Sequence, residues 1–150
     1  MPVPKSVVKF DKDGVKFVSN VDRVSYTMKE LARAALRDVG KFVCRTFRKS
    51  YYQHFGKRSG RVGKFTQYWV KHKYEIHPAL QVGVKPNGFY GGYQEFGTSK
   101  QPKLGLLTKA VFDNIPTIVK IESQYLSALE DEARALELIS EKDYEGGGEQ

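Results

Sequence analysis

Residues 89–110 read FYGGYQEFGTSKQPKLGLLTKA, and the arrangement of the whole chain turns on this stretch. Closely spaced aromatics lead into the run Glu95, Phe96, Gly97, Thr98; a polar turn with Pro102 follows, then an apolar helix start at Leu106. Just upstream, Tyr68, Val70, Tyr74 and Ile76 alternate with polar residues across 65–76, as Leu80, Val82 and Val84 do across 80–85. This is the period of strands buried on one face. Pro86, Asn87 and Gly88 combine a proline-set φ with residues tolerant of positive φ and predict a turn. A third strand is expected through residues 90–96, which makes the sheet antiparallel.

Working back toward the N-terminus, residues 28 to about 55 place Leu31, Ala35, Val39, Phe42, Val43, Thr46 and Phe47 at three- and four-residue spacing, one apolar helical face. Thr27 and Glu30 have the spacing of a capping box, and Tyr26 and Leu31 that of a hydrophobic staple, so the helix is expected to begin there. Gly40 inside it costs up to about 1 kcal/mol relative to Ala and implies close packing or a bend. Earlier still, residues 7–18 read as a hairpin turning at Asp13 and Gly14, with Val8, Phe10, Val15 and Phe17 as apolar contacts and Lys9, Lys12 and Lys16 left to solvent.

Toward the C-terminus, Pro116 cannot sit deep inside a helix, so residues 106–113 and 116 to about 141 are expected as two helices. The longer one carries Val119, Glu122, Leu126, Leu129, Ala133 and Leu136 on a face with one polar interruption. The fold class is therefore α+β: an antiparallel sheet packed against a long N-terminal helix, with a C-terminal helix. One domain is expected over 1–140, including a helical arm at 106–141, with a flexible tail at 142–150.

Charge divides the chain more sharply than its net +8 suggests. Residues 1–110 hold 22 Lys and Arg against 7 Asp and Glu, a net +15, while 111–150 hold 3 against 10, a net −7. Such a body suits an anionic partner or the acidic arm of a neighbouring copy, and a solvated surface is the plain alternative. Lys29, Arg33, Arg37, Lys41, Arg45 and Lys49 recur every four positions along the long helix. Four residues overshoot a turn by about 40°, so this row winds round the helix, either solvated or as a contact surface. Lys57, Arg58, Arg61 and Lys64 lie in a glycine-rich basic loop at 56–64, which lacks the order of a Walker phosphate loop and reads as a mobile arm or a plain linker.

Eleven aromatics fall between Tyr51 and Phe96 among many cations. That is the composition of a single-strand binding platform, and equally that of a sheet core. His54, His72, His77 and the lone Cys44 have no metal-ligand spacing, and Cys44 lies in a helical pattern as a small buried apolar residue. No nucleophile elbow or second carboxylate accompanies Glu95, whose expected role is to accept hydrogen bonds from backbone or Thr98, or to pair with a cation. No catalytic residue, metal or cofactor is indicated, and no apolar run approaches the ~20 residues of a membrane span, so no membrane partner is expected.

Tyr90-Gly-Gly-Tyr-Gln-Glu-Phe-Gly-Thr98, followed by Pro102 and Leu106-Leu107, resembles the tail-completion (head-tail joining, minor tail component) family of tailed bacteriophages. The order of elements fits over about 26–135: a long helix, a Ser-Gly loop at 59–62, strands, the Glu-Phe-Gly-Thr segment and a C-terminal helix. At the last helix start, where that family often has Pro-Phe-Leu-Arg-Pro-Ala, this chain has Gly-Leu-Leu-Thr-Lys-Ala. The resemblance implies a structural virion protein made in the host bacterial cytoplasm and forming a ring of six copies in the phage neck. Its partners would be itself, a portal-side connector or head-closure protein, and the tail tube or tail terminator protein. In that setting Tyr90, Tyr93, Glu95, Phe96, Gly97 and Thr98 are candidate subunit contacts. Lys57, Arg58, Arg61, Lys64, Arg33, Arg37, Lys41 and Arg45 are candidates for facing packaged DNA or a partner ring. The competing class is a nucleic-acid-binding module using the basic helix and aromatic sheet.

Overall fold

A computed structural model describes residues 7–12, 14–56, 61–71, 78–131, 134–135 and 138–139. The chain is built on one helix, α1 (Val21–Phe55), of 35 residues. At 1.5 Å per residue it is about 52 Å long, more than enough for two separate sets of elements to pack along it. Before it stand β1 (Val7–Lys12) and β2 (Val15–Ser19), paired antiparallel with a register irregularity between Val8 and Phe10. Gly14 has φ 81°, the left-handed conformation the expected turn requires. The hairpin is therefore present, but Val15, expected as an apolar contact, is largely exposed.

α1 begins six residues before the expected cap. Asn20 precedes its first turn, where the Val24 N–H donates to the Asn20 carbonyl, and Asp22 complements the positive end of the helix dipole. Thr27 consequently lies inside the helix, its hydroxyl donating to the Arg23 carbonyl at 3.0 Å, and Glu30 pairs with Arg33 instead of reaching back to a cap. The capping box at Thr27 is not used, because the N–H groups it would satisfy already belong to a continuing helix. Gly56, at φ 62°, closes the far end.

After α1, α2 (Arg61–Lys64) makes one helical turn where a loop was expected, and β3 (Thr66–Lys71) pairs antiparallel with β4 (Ala79–Val84). Residues 57–60 and 72–77, with the strand expected to reach 76, lie outside the described residues. Gly40 explains how the sheet reaches the helix: a Cβ there would come within 2.6 Å of the Tyr68 ring and 3.0 Å of Leu80. Close packing, one of the two readings of this glycine, is the observed one.

The third strand does not form. Pro86–Gly88 is a 3-10 turn, and α3 (Gly91–Phe96) is helical. Tyr90, Tyr93 and Phe96 are three residues apart, a helical interval, and the Gln94 N–H donates to the Tyr90 carbonyl at 3.2 Å. The sheet is thus two-stranded. α4 (Leu106–Phe112) and α5 (Ile115–Ser127) meet at Asn114, with Pro116 in the first turn of α5 where its missing N–H costs nothing. A 3-10 turn at Ala128–Glu130 and an extended Asp131 end α5 well before residue 141.

Two clusters form the core. Val39, Val43, Phe47 and Tyr51 of α1 pack with Val62, Ala110 and the inner residues of β4, while Leu31, Ala34 and Ala35 pack with Tyr125, Ala135 and Ile139. Ile121 touches both. The buried face of α5 is therefore Ile118, Ile121, Tyr125 and Ala128, and the expected face is turned outward: Val119, Leu126 and Leu129 are exposed and Glu122 half-buried. Tyr125 fixes this rotation, since its hydroxyl donates to the Asp38 carboxylate on α1. Ala133 and Leu136 lie outside the described residues. Cys44 is buried as expected, and burial pushes its thiol pKa up despite nearby Arg48.

Candidate assembly surface

The segment 88–108 is held by close backbone approaches at one end and by a carboxylate at the other. A Cβ on Gly88 would meet Val84 at 2.5 Å, and one on Gly91 would meet Val62 at 3.0 Å. Only glycine lets the start of α3 lie this close to α2 and β4. Gly97 ends α3 at φ 79°, its N–H donating to the Tyr93 carbonyl at 2.9 Å, and a Cβ there would sit 2.9 Å from the Lys103 nitrogen. Thr98 then closes its own turn: its N–H donates to the Gln101 carbonyl, and its hydroxyl oxygen accepts from the Lys100 and Gln101 N–H groups at 3.3 and 3.1 Å.

Glu95 reaches forward across this turn to the start of α4. Its carboxylate accepts the Leu107 N–H at 2.9 Å, the Thr108 N–H at 2.8 Å and the Thr108 hydroxyl at 2.6 Å. These are groups that a helix start leaves without intrahelical partners. Gly105 precedes α4 at φ 60° and offers no side chain, so the cap comes from twelve residues upstream. Two backbone bonds, from Leu104 N–H to the Gln94 carbonyl and from Gly105 N–H to the Glu95 carbonyl, tie the same strands of chain together. Partial burial raises the Glu95 pKa, but hydrogen bonds from Thr108 and Leu107, aided by Lys103, outweigh it and leave the carboxyl below its ordinary value. Glu95 is thus an internal fastener whose partners are backbone N–H groups, as expected, and Thr108 in place of Thr98.

With its polar groups turned inward, the segment shows aromatics outward. Phe96 is 77% and Phe89 68% exposed, Tyr93 is also exposed, and Phe89 meets Tyr90 and Tyr93 edge-on at centroid distances of 5.5 and 6.4 Å. Tyr90 is half-buried against the larger core cluster and anchors the group. Of the six contact candidates, Tyr93 and Phe96 offer apolar surface, Thr98 is exposed but shapes its own turn, and Glu95 and Gly97 support from within. Phe89 was not among the candidates; its place directly before Tyr90 was the available signal.

The described basic candidates differ in exposure and in their partners. Arg33 pairs with Glu30 at 2.7 Å, and Arg37 and Lys41 are half-buried and engaged in polar or electrostatic contacts. Lys29, Arg45 and Lys49 are exposed toward the two ends of the row, as winding about the helix requires. Lys64 is exposed, its ammonium 5.8 Å from the Phe65 ring centre. Arg61 opens α2, and Lys57 and Arg58 lie outside the described residues. Sequence reasoning missed Arg48, whose guanidinium donates to the Gly63 and Thr66 carbonyls at 2.9 and 2.6 Å and joins α1 to the start of β3. Its position next to Phe47, off the four-residue row, marked it as a residue at the core margin.

Among the described residues, no group of three or more His, Cys, Asp or Glu side chains could hold a metal, and no helix is long and apolar enough to cross a membrane. His54 is exposed near the end of α1, while His72 and His77 lie outside the described residues. No family model, curated protein or solved structure matches the chain.

Proposed function

We propose that this protein is a structural subunit of the phage neck, forming a ring that joins the DNA-filled head to the tail. The observation that carries the reading is the build of residues 89–108: Glu95 and Thr98 are spent on holding the backbone, and Phe89, Tyr93 and Phe96 are left facing outward on a fixed support. A preset aromatic surface loses little conformational freedom when a partner covers it, which favours association. The likeness of residues 90–98 to the tail-completion pattern supplies the setting, with a portal-side connector and a tail tube or terminator protein as neighbours.

Sedimentation of the purified chain tests this. Concentration-dependent association is expected, with Phe96→Asp remaining monomeric and folded; equal association of the two proteins would remove the aromatic surface from the contact. Titration with DNA separates the nucleic-acid-binding class, for which binding should be tight and fall steeply with salt, by about one logarithmic unit per phosphate contacted for each tenfold rise in salt. Weak DNA binding at physiological salt is the expectation for a neck subunit whose basic row is partly covered at Arg33, Arg37 and Lys41.

A further inference from the structure

We propose that the open side of the first half of α1 is a groove that receives the β1–β2 hairpin of a second copy. This goes beyond the ring reading, on which it rests, by naming the two surfaces that meet. A recess of about 700 Å³ beside Val21 and Val24 and another of about 400 Å³ beneath Leu126 and Leu129 share Met28, Ala32 and Pro78, so they run together as one apolar groove. Val21 is 69% and Leu126 65% exposed, and Val24, Met28 and Leu129 are exposed between them. Apolar side chains gathered along one recess differ from the scattered exposed residues normal on any surface, and mark a contact.

The described side chains of the hairpin include exposed apolar residues. A two-stranded sheet by itself is marginal in water. Among the described residues its strands pack extensively only on each other, and Val15, 64% exposed, and Val18 face solvent. Charge matches the two surfaces at the Leu126–Leu129 end: residues 1–19 carry four lysines against two aspartates, and there Glu122 lines the groove and Glu130 and Asp131 follow Leu129, while the single cation of the lining, Lys29, lies in the recess at the other end. Asn20 alone separates the hairpin from α1 and lines the groove mouth, so the hairpin leaves α1 at the mouth of the groove. Hairpin into the neighbour's groove is a head-to-tail contact, the kind that closes into a ring when its rotation allows.

Two full-length single-site variants, Val18→Cys and Leu126→Cys, mixed and treated with a short bis-maleimide, test the docking. A link between positions 18 and 126 can only join two copies, and the buried Cys44 thiol, its pKa raised, stays unreactive. A linked heterodimer is expected from this mixture and none from Val18→Cys mixed with Lys100→Cys, whose site lies outside the groove. Met28→Asp in the full chain should weaken association about tenfold, the loss of roughly one good apolar contact, with an unchanged circular dichroism spectrum. Oligomers that form without the 18–126 link, or that Met28→Asp leaves intact, would overturn the docking and spare the ring reading. A chain that stays monomeric and unlinked at every concentration would overturn both.

Discussion

The two halves of α1 share one helical repeat but are covered differently. From Val39 to Tyr51 the helix is enclosed by α2, the β3–β4 sheet, α4 and the aromatic segment, and Gly40 lets Tyr68 rest almost on its backbone. From Val21 to Ala35 its described core contacts are with α5 and the turns after it along one face, leaving Val21, Val24 and Met28 exposed. Apolar residues in the closed half hold the fold together, as do Leu31, Ala34 and Ala35 on the covered face of the open half, whereas Val21, Val24 and Met28 add little to a single chain and are available to another. The same division recurs on α5, where Tyr125 and Ala128 face inward and Val119 and Leu126 outward.

Substitutions across this divide should separate in size. Phe47→Ala, in the closed half, is expected to cost about 3–5 kcal/mol in urea unfolding, from lost burial and the cavity left behind; a cost below about 1 kcal/mol would mean that this half is not closely packed. Gly40→Ala should come next, at about 1–3 kcal/mol, since crowding against Tyr68 and Leu80 outweighs the better helix propensity of alanine. Stabilisation would mean that the sheet can step away from the helix.

Glu95→Ala should cost about 1–2 kcal/mol through loss of the cap on α4. Glu95 also gives a pH signature. Its pKa is lower in the folded chain than in the unfolded one, so its contribution is complete above the ordinary value of 4.5 and is lost as pH falls through the depressed folded value. The stability gap between wild type and Glu95→Gln should therefore narrow on acidification, and a constant gap would assign the effect to shape alone. The smallest effect belongs to Val24→Ala, within about 0.5 kcal/mol for the monomer. A larger cost at low protein concentration would show that the open half is covered within its own chain.

The spacing from Leu31 to Phe47 is long and regular enough to give the spine from sequence alone, and Gly40 left close packing and a bend as two readings, of which the Tyr68 contact selects the first. The start of α1 was less legible, because a local capping signal at Thr27 and Glu30 competes with a helix-compatible stretch from Val21 that contains neither Gly nor Pro. Residues 90–96 fit a strand by aromatic content and a helix by their three-residue interval, and contact of Gly88 and Gly91 with Val84 and Val62 decides between them. α5 carries two apolar faces, one through Ile118, Ile121, Tyr125 and Ala128 and one through Val119, Leu126 and Leu129. Which of them is buried depends on the Tyr125 bond to Asp38, 87 residues away in sequence and beyond any local pattern. The glutamate of the central motif was legible as a structural acceptor, but Thr108 as its partner was not, because that pairing spans a turn whose path the sequence does not specify.

Electron microscopy of the purified full-length chain at high concentration, alone and with a portal-side connector, addresses the assembly claim most directly. Closed rings of six copies are the predicted result, with the aromatic segment and the hairpin at the subunit boundaries. Isolated monomers under both conditions would contradict it.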